Sequence, residues 1–171
     1  MSATLAELNH AAPTAFVAAL ADVFEHSPWV AERALPARPF ASVDALHAAM
    51  TAAVAAASRN EQLALIRAHP ELAGREAVDG TLTADSSSEQ GRLGINALSR
   101  DEFQRISELN RRYRERFGFP CIIALALHQD RASVFAAFEA RLGNTPEQEI
   151  VAALEQIGHI TRSRLRRIFG S

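Results

Sequence analysis

From Ser99 to Gly118 the apolar residues return at steps of three and four: Phe103, Ile106, Leu109, Tyr113 and Phe117. That spacing lays a single apolar stripe along a helix. Its boundaries are written beside it. Ser99-Arg100-Asp101-Glu102 has the spacing of a capping box, and Gly118 suits the left-handed residue that closes a helix. A second stripe, Ile150, Leu154, Ile157, Leu165 and Ile168, follows Thr145-Pro146-Glu147-Gln148, a box with proline at the first helical position.

The same grammar recurs upstream. Ser27-Pro28 reads as a cap followed by proline at the first helical position, opening a short helix over 29–34. Pro36 and Pro39 then break the chain, Ser42 caps a helix running to about Ala57, and Ser58-Arg59-Asn60-Glu61 is a further box. One stretch departs from this pattern: Phe119-Pro120-Cys121-Ile122-Ile123-Ala124-Leu125 is a short apolar run after a glycine, and its length suits a buried extended segment. No 20–50-residue period repeats and no low-complexity linker interrupts the 171 residues. The expectation is an all-α chain of about eight helices, packed as a single compact bundle-like domain over 1–171.

Composition strengthens the helical reading, since the chain holds 34 alanines against 8 glycines and 7 prolines. All 18 basic residues are arginine, which removes Schiff-base chemistry and a phosphate-loop lysine. A formal charge of −2 provides no overall basic field for nucleic acid. The lone Cys121 excludes an internal disulfide framework and any multi-cysteine metal site, and it fits a reducing compartment. No apolar run approaches a membrane span, Met1 to Asn9 lacks a secretory pattern, and Ile168 to Ser171 matches no retention or peroxisomal signal. A cytoplasmic protein without membrane or nucleic-acid partners is expected.

Two polar stretches interrupt the helical logic. In His69-Pro70-Glu71-Leu72-Ala73-Gly74 the proline disfavours helix at the residue before it, so a helix ends at His69. A histidine projecting from a helix end serves either as a general acid or base or as a C-terminal cap. In Asp85-Ser86-Ser87-Ser88-Glu89-Gln90 the hydroxyls fit the first turn of a helix. There they either surround an anion or carbonyl-bearing ring, or simply cap. Glu89 is a candidate acid, base or partner of a histidine, or a complement to the helix dipole. The remaining histidines, 10, 26, 47, 128 and 159, have no mutual ligand spacing, so no metal site is expected. Cys121 carries no nucleophile signature and reads as a small buried side chain. Arg111, Arg112, Arg114 and Arg116 form a solvated face with Glu108 and Glu115; among Arg162, Arg164, Arg166 and Arg167, one turned inward would fork a carboxylate.

Taken in order, Glu25-His26-Ser27-Pro28-Trp29-Val30, His69 to Gly74, Ser86 to Gln90 and Phe117-Gly118-Phe119-Pro120 resemble the signature blocks of the 2-oxo-4-hydroxy-4-carboxy-5-ureidoimidazoline (OHCU) decarboxylase family. The resemblance implies an all-α homodimer that forms (S)-allantoin in urate degradation without a metal or organic cofactor. It implies His69 as the catalytic proton donor with Pro70 beside it, Glu89 as its acidic partner, and Ser86, Ser87, Ser88, Glu89 and Gln90 as the substrate-binding block. The run Cys121, Ile122, Ile123, Ala124 and Leu125 is similar to the segment whose backbone lines the substrate ring, and Arg164-Leu165 to the family's C-terminal pair, with Arg162 a competing match. Two positions depart from the family pattern: Cys121 stands where phenylalanine is usual, and Leu93-Gly94-Ile95 replaces an Ala-Gly-Leu loop. These bear on substrate fit, leaving open another ureido or imidazoline carboxylate. The rival class is a non-enzymatic helical module using its arginine faces, whose binding would be strongly salt-dependent.

Overall fold

A computed structural model describes residues 3–170; Met1, Ser2 and Ser171, which enter the two terminal readings, lie outside the described residues. The order is α1 (Leu5–His10), α2 (Pro13–Leu20), α3 (Trp29–Ala34), α4 (Val43–Ala55), α5 (Arg59–Ala68), α6 (Arg75–Asp79), α7 (Ala84–Arg92), α8 (Arg100–Phe117), α9 (Arg131–Arg141) and α10 (Pro146–Phe169). Single 3-10 turns lie at Leu35–Ala37, Ile95–Ala97 and Leu125–Leu127, and there is no strand among the described residues. The fold class is therefore all-α, as expected, and α1 and α6, at six and five residues, bring the helix count above eight. None of these helices is long and apolar enough to cross a membrane.

The chain packs as two compact units. The first runs to Ala68 and takes in the chain from Gly158 onward; the second is His69–Ile157. In the first unit α3 packs against α4 and α2. The Asn9 side chain clamps Phe40, accepting its N–H at 2.8 Å and donating to its carbonyl at 2.9 Å, while Phe16 stacks on the Phe40 ring at 6.2 Å. Ser42 caps α4 by accepting the Ala45 N–H at 3.0 Å, and the Ser58–Glu61 box closes with two bonds of 3.2 Å. Ser27 behaves differently from its expected role. The chain turns through a left-handed His26 (φ 48°), so the Ser27 hydroxyl donates back to the Glu25 carbonyl at 2.8 Å and gives α3 no side-chain cap.

In the second unit α8 packs against α9, and α7 packs against the turn at Leu125–Leu127. The boundaries of α8 follow the sequence: the Ser99–Glu102 box is present and Gly118 is left-handed (φ 75°). The stripe buries Ile106, Leu109 and Tyr113, but Phe103 at its start is 40% exposed. Asn110 is buried with them, a polar residue on the inward face. Along α10 the buried positions are Glu149, Ile150, Ala153, Ile157, Thr161, Arg164 and Leu165. Leu154 and Ile168, which the apolar stripe included, are only half-buried. Tyr113 anchors an aromatic group with Phe117, Phe119 and Phe138, its ring lying 4.5, 5.9 and 5.9 Å from theirs.

Candidate active site

The helix before His69 does end where proline requires: α5 stops at Ala68, and His69 is buried, with Pro70 half-buried beside it. The loop from His69 to Gly74 makes a backbone turn bond of its own, Gly74 N–H to the Glu71 carbonyl at 3.3 Å, and its other buried peptide groups must be satisfied from elsewhere. Gln90 of α7 accepts the Ala73 N–H at 2.9 Å and donates to the Glu71 carbonyl at 3.4 Å. Asn110 of α8 donates to the Leu72 carbonyl at 2.9 Å, and Arg114 pairs with the Glu71 carboxylate. The loop is tight: Ala73 is left-handed (φ 48°), and a Cβ on Gly74 would lie 2.6 Å from the Glu71 Cβ. His69 has interactions of its own, while its buried Nε2 makes no hydrogen bond among the described residues.

The serine block does begin in the first turn of its helix: α7 starts at Ala84, so Ser86 and Ser87 fall in that turn and Ser88 just beyond it. Thr83 is the N-cap, and its hydroxyl accepts the Ser86 N–H at 3.2 Å while its carbonyl accepts the Ser87 N–H at 2.9 Å. Those two backbone donors are thus consumed, and the block offers side chains rather than N–H groups. Ser86 and Gln90 are buried and Glu89 is half-buried, a single face by the three- and four-residue period. Ser87 and Ser88 are exposed on the rest of the helix. The missed signal is Thr83, three residues before Ser86.

The apolar run after Gly118 is buried from Cys121 to Leu125 and has no regular structure until the turn begins at Leu125. Side chains from three helices hold its backbone. Arg141 of α9 donates to the Ile122 carbonyl, Gln156 of α10 accepts the Ala124 N–H at 2.8 Å, and Arg92 of α7 donates to the Leu125 carbonyl. Arg141 is in turn held by Glu149, whose fully buried carboxylate accepts from Arg141 Nε at 2.8 Å, from Asn144 at 2.8 Å and from the Tyr113 hydroxyl. Burial pushes the Cys121 thiol up to about 12; the Arg141 charge opposes this and the Glu149 charge adds to it. The second unit thus joins the His69 loop, the inner face of α7 and the 121–125 segment through Gln90 and Arg92 on one helix.

Arg164 belongs to the first unit. It is 1% exposed and donates to the Glu25 carboxylate at 2.7 Å and to the Val23 carbonyl at 3.2 Å. Arg162, the competing match, is exposed and pairs with Asp44. Only Arg164 is the inward-turning arginine of that cluster. The arginines of α8 form the expected ion-paired face, with Arg111 bridging Glu108 and Glu115. Among the described residues no three histidine, cysteine or acidic side chains are grouped so as to hold a metal ion.

A family model for OHCU decarboxylase matches residues 9–166. The chain belongs to that family. It is 41% identical over 168 residues to a Haloferax volcanii protein named 2-oxo-4-hydroxy-4-carboxy-5-ureidoimidazoline decarboxylase, covering 98% of this chain and 97% of that one. It is 39% identical to a uric acid degradation bifunctional protein of Bacillus sp. (strain TB-90), covering 96% of this chain but 32% of that longer protein. Its fold superposes on a crystal structure of (S)-allantoin synthase with a TM-score of 0.75 at 30% identity, covering 98% of this chain and 54% of that chain. The family match takes in the His69 loop, the α7 face, the 121–125 segment and Arg164.

Proposed function

We propose that this chain removes CO2 from 2-oxo-4-hydroxy-4-carboxy-5-ureidoimidazoline and delivers (S)-allantoin, as a step in urate degradation. The observation that carries the reading is the family match over 9–166, within which His69 ends a helix in a buried loop tied to the inner face of α7. Breaking the carbon–carboxylate bond leaves an electron pair on the ring carbon. The conjugated heterocycle of the substrate takes up that pair, so the protein needs no metal or organic cofactor for it. What remains for the chain is to hold the substrate in one orientation and to supply one proton to one face of that carbon. His69 is the donor in this reading and Glu89 its acidic partner, orienting the imidazole. Pro70, Ser86 and Gln90 surround the substrate, with the backbone of 121–125 along its ring. Arg164, held by the Glu25 carboxylate, is the arginine assigned to the substrate.

The reading takes residues 1–171 as one functional domain, supported by a family match that includes parts of both units. A homodimer is carried from the family resemblance, and a cytoplasmic setting from the single free thiol, which fits a reducing compartment. The test is direct: the purified chain is added to freshly generated OHCU and optical activity is followed. Rapid appearance of dextrorotatory (S)-allantoin supports the reading. Racemic product at the spontaneous rate, from a folded protein, overturns it.

A further inference from the structure

We propose that Arg141, fixed by Glu149, is a positioning residue of the decarboxylation: it sets the orientation of the 121–125 backbone and thereby substrate binding. This rests on the reading above that the segment lines the substrate ring. Ile122 presents its carbonyl to Arg141 Nη1, and Ala124 presents its N–H to Gln156 Oε1 at 2.8 Å. The only cis peptide among the described residues is Arg38–Pro39, so the Ile122–Ile123 peptide is trans. With its carbonyl turned to Arg141, the N–H of Ile123 points the opposite way. The same reasoning at the next peptide turns the Ile123 carbonyl away from Gln156. The two clamps thereby fix the N–H and the carbonyl of a single residue, a donor and an acceptor suited to the N–H and carbonyl edge of a ureido or imidazoline group.

The construction is costly in a way that packing alone does not explain. The side chains of Arg141 and Glu149 are 13% and 0% exposed, and a buried ion pair is commonly replaceable by apolar residues of similar volume without loss of stability. An apolar pair, however, has no donor for the Ile122 carbonyl. Asn144 and Tyr113 complete the carboxylate's shell, so Glu149 holds the guanidinium plane at a fixed angle while Nη1 reaches the segment.

The test compares Arg141→Met/Glu149→Leu, which removes both charges together, with Arg141→Lys and the parent in steady-state decarboxylation of OHCU, with thermal melts alongside. The double variant is expected to fold and to raise KM about tenfold or more while kcat changes less than about threefold. Arg141→Lys is expected to recover part of that binding, since one ammonium reaches the carbonyl or the carboxylate but does not fork both. A double variant that melts cooperatively with the parent KM overturns the inference while leaving the proposed function standing. So does a lysine variant with a KM as poor as that of the double variant. A parent chain that does not accelerate OHCU decay overturns the function and this inference together. If the double variant does not fold, Arg141→Lys alone decides, because an unchanged KM there also counts against the inference.

Discussion

The second unit holds two irregular buried stretches in opposite ways. The loop 69–74 is held at its backbone by neutral amides, those of Gln90 and Asn110, and the Arg114 side of its Glu71–Arg114 ion pair is exposed. The segment 121–125 is held by two arginines and a glutamine, with a fully buried carboxylate behind one of the arginines. The difference matches what each stretch contributes on the proposed reading. The loop carries a side chain that must gain and lose a proton, and a neutral clamp adds no fixed charge to that equilibrium. The segment contributes its own peptide groups, which stay neutral, so charge-assisted bonds can hold it more firmly.

The largest expected effect separates the loop's chemistry from its clamp. His69→Ala is expected to lower kcat by about 10²–10⁴-fold, the usual range for a lost general acid, with product no longer formed as a single hand. A folded His69→Ala chain with full, stereospecific turnover would remove His69 from the proton step. Next comes the charged clamp: Glu149→Leu alone strands the guanidinium of Arg141 and is expected to cost about 3–5 kcal/mol of stability in denaturant melts. Removing both partners should cost much less, and a double loss equal to the sum of the Glu149→Leu and Arg141→Met losses would show that the charges are not coupled.

The neutral clamp should matter less. Gln90→Leu leaves the Ala73 N–H and the Glu71 carbonyl without their side-chain partner, an expected loss of about 1–3 kcal/mol. If Gln90→Leu destabilises as strongly as Glu149→Leu, the contrast between the two clamps fails. Smaller still, and of opposite sign, Ala73→Gly relieves a left-handed alanine and is expected to stabilise by about 0.5–1 kcal/mol. A lower melting temperature for Ala73→Gly would mean that its methyl group packs for more than its backbone costs.

How much of this was legible follows from the range of each signal. The starts of α4, α5, α8 and α10 could be read because a hydroxyl or carboxylate three residues away closes each cap locally. His69 could be placed because Pro70 constrains its neighbour. The serine block could be placed in a first turn, but the cap itself, Thr83, offers the same hydroxyl chemistry as the serines after it and so did not stand out. Arg141, Glu149, Gln156 and Arg92 gave no comparable signal. Their partners lie between 5 and 36 residues away, and several of the groups they bind are backbone, which every residue possesses. The faint trace available was register: Asn110 shares the inward face of Ile106, Leu109 and Tyr113, and Glu149 the buried face of Ile150 and Ala153. A polar residue on an apolar face marks a buried partner without naming it.

A last comparison, confined to high pH, concerns the thiol buried near the charged clamp. Cys121 lies beside it, and burial raises its thiol from an ordinary value of 9.0 to about 12 in the folded chain, with Arg141 opposing and Glu149 reinforcing. The folded state therefore keeps a proton that the unfolded chain releases. The corresponding stability is fully present below pH 9 and is lost as pH rises from 9 toward 12. The melting temperature of the parent should fall more steeply across that window than that of Cys121→Ala, after subtraction of their constant offset near pH 7. In Glu149→Gln one of the contributions that holds the thiol up is gone, so alkylation of the folded protein by iodoacetamide at pH 9 should become faster. Identical slopes for parent and Cys121→Ala would show that burial does not hold the thiol up. No comparable titration should attach to the amides that hold the loop, since neither Gln90 nor Asn110 carries a charge.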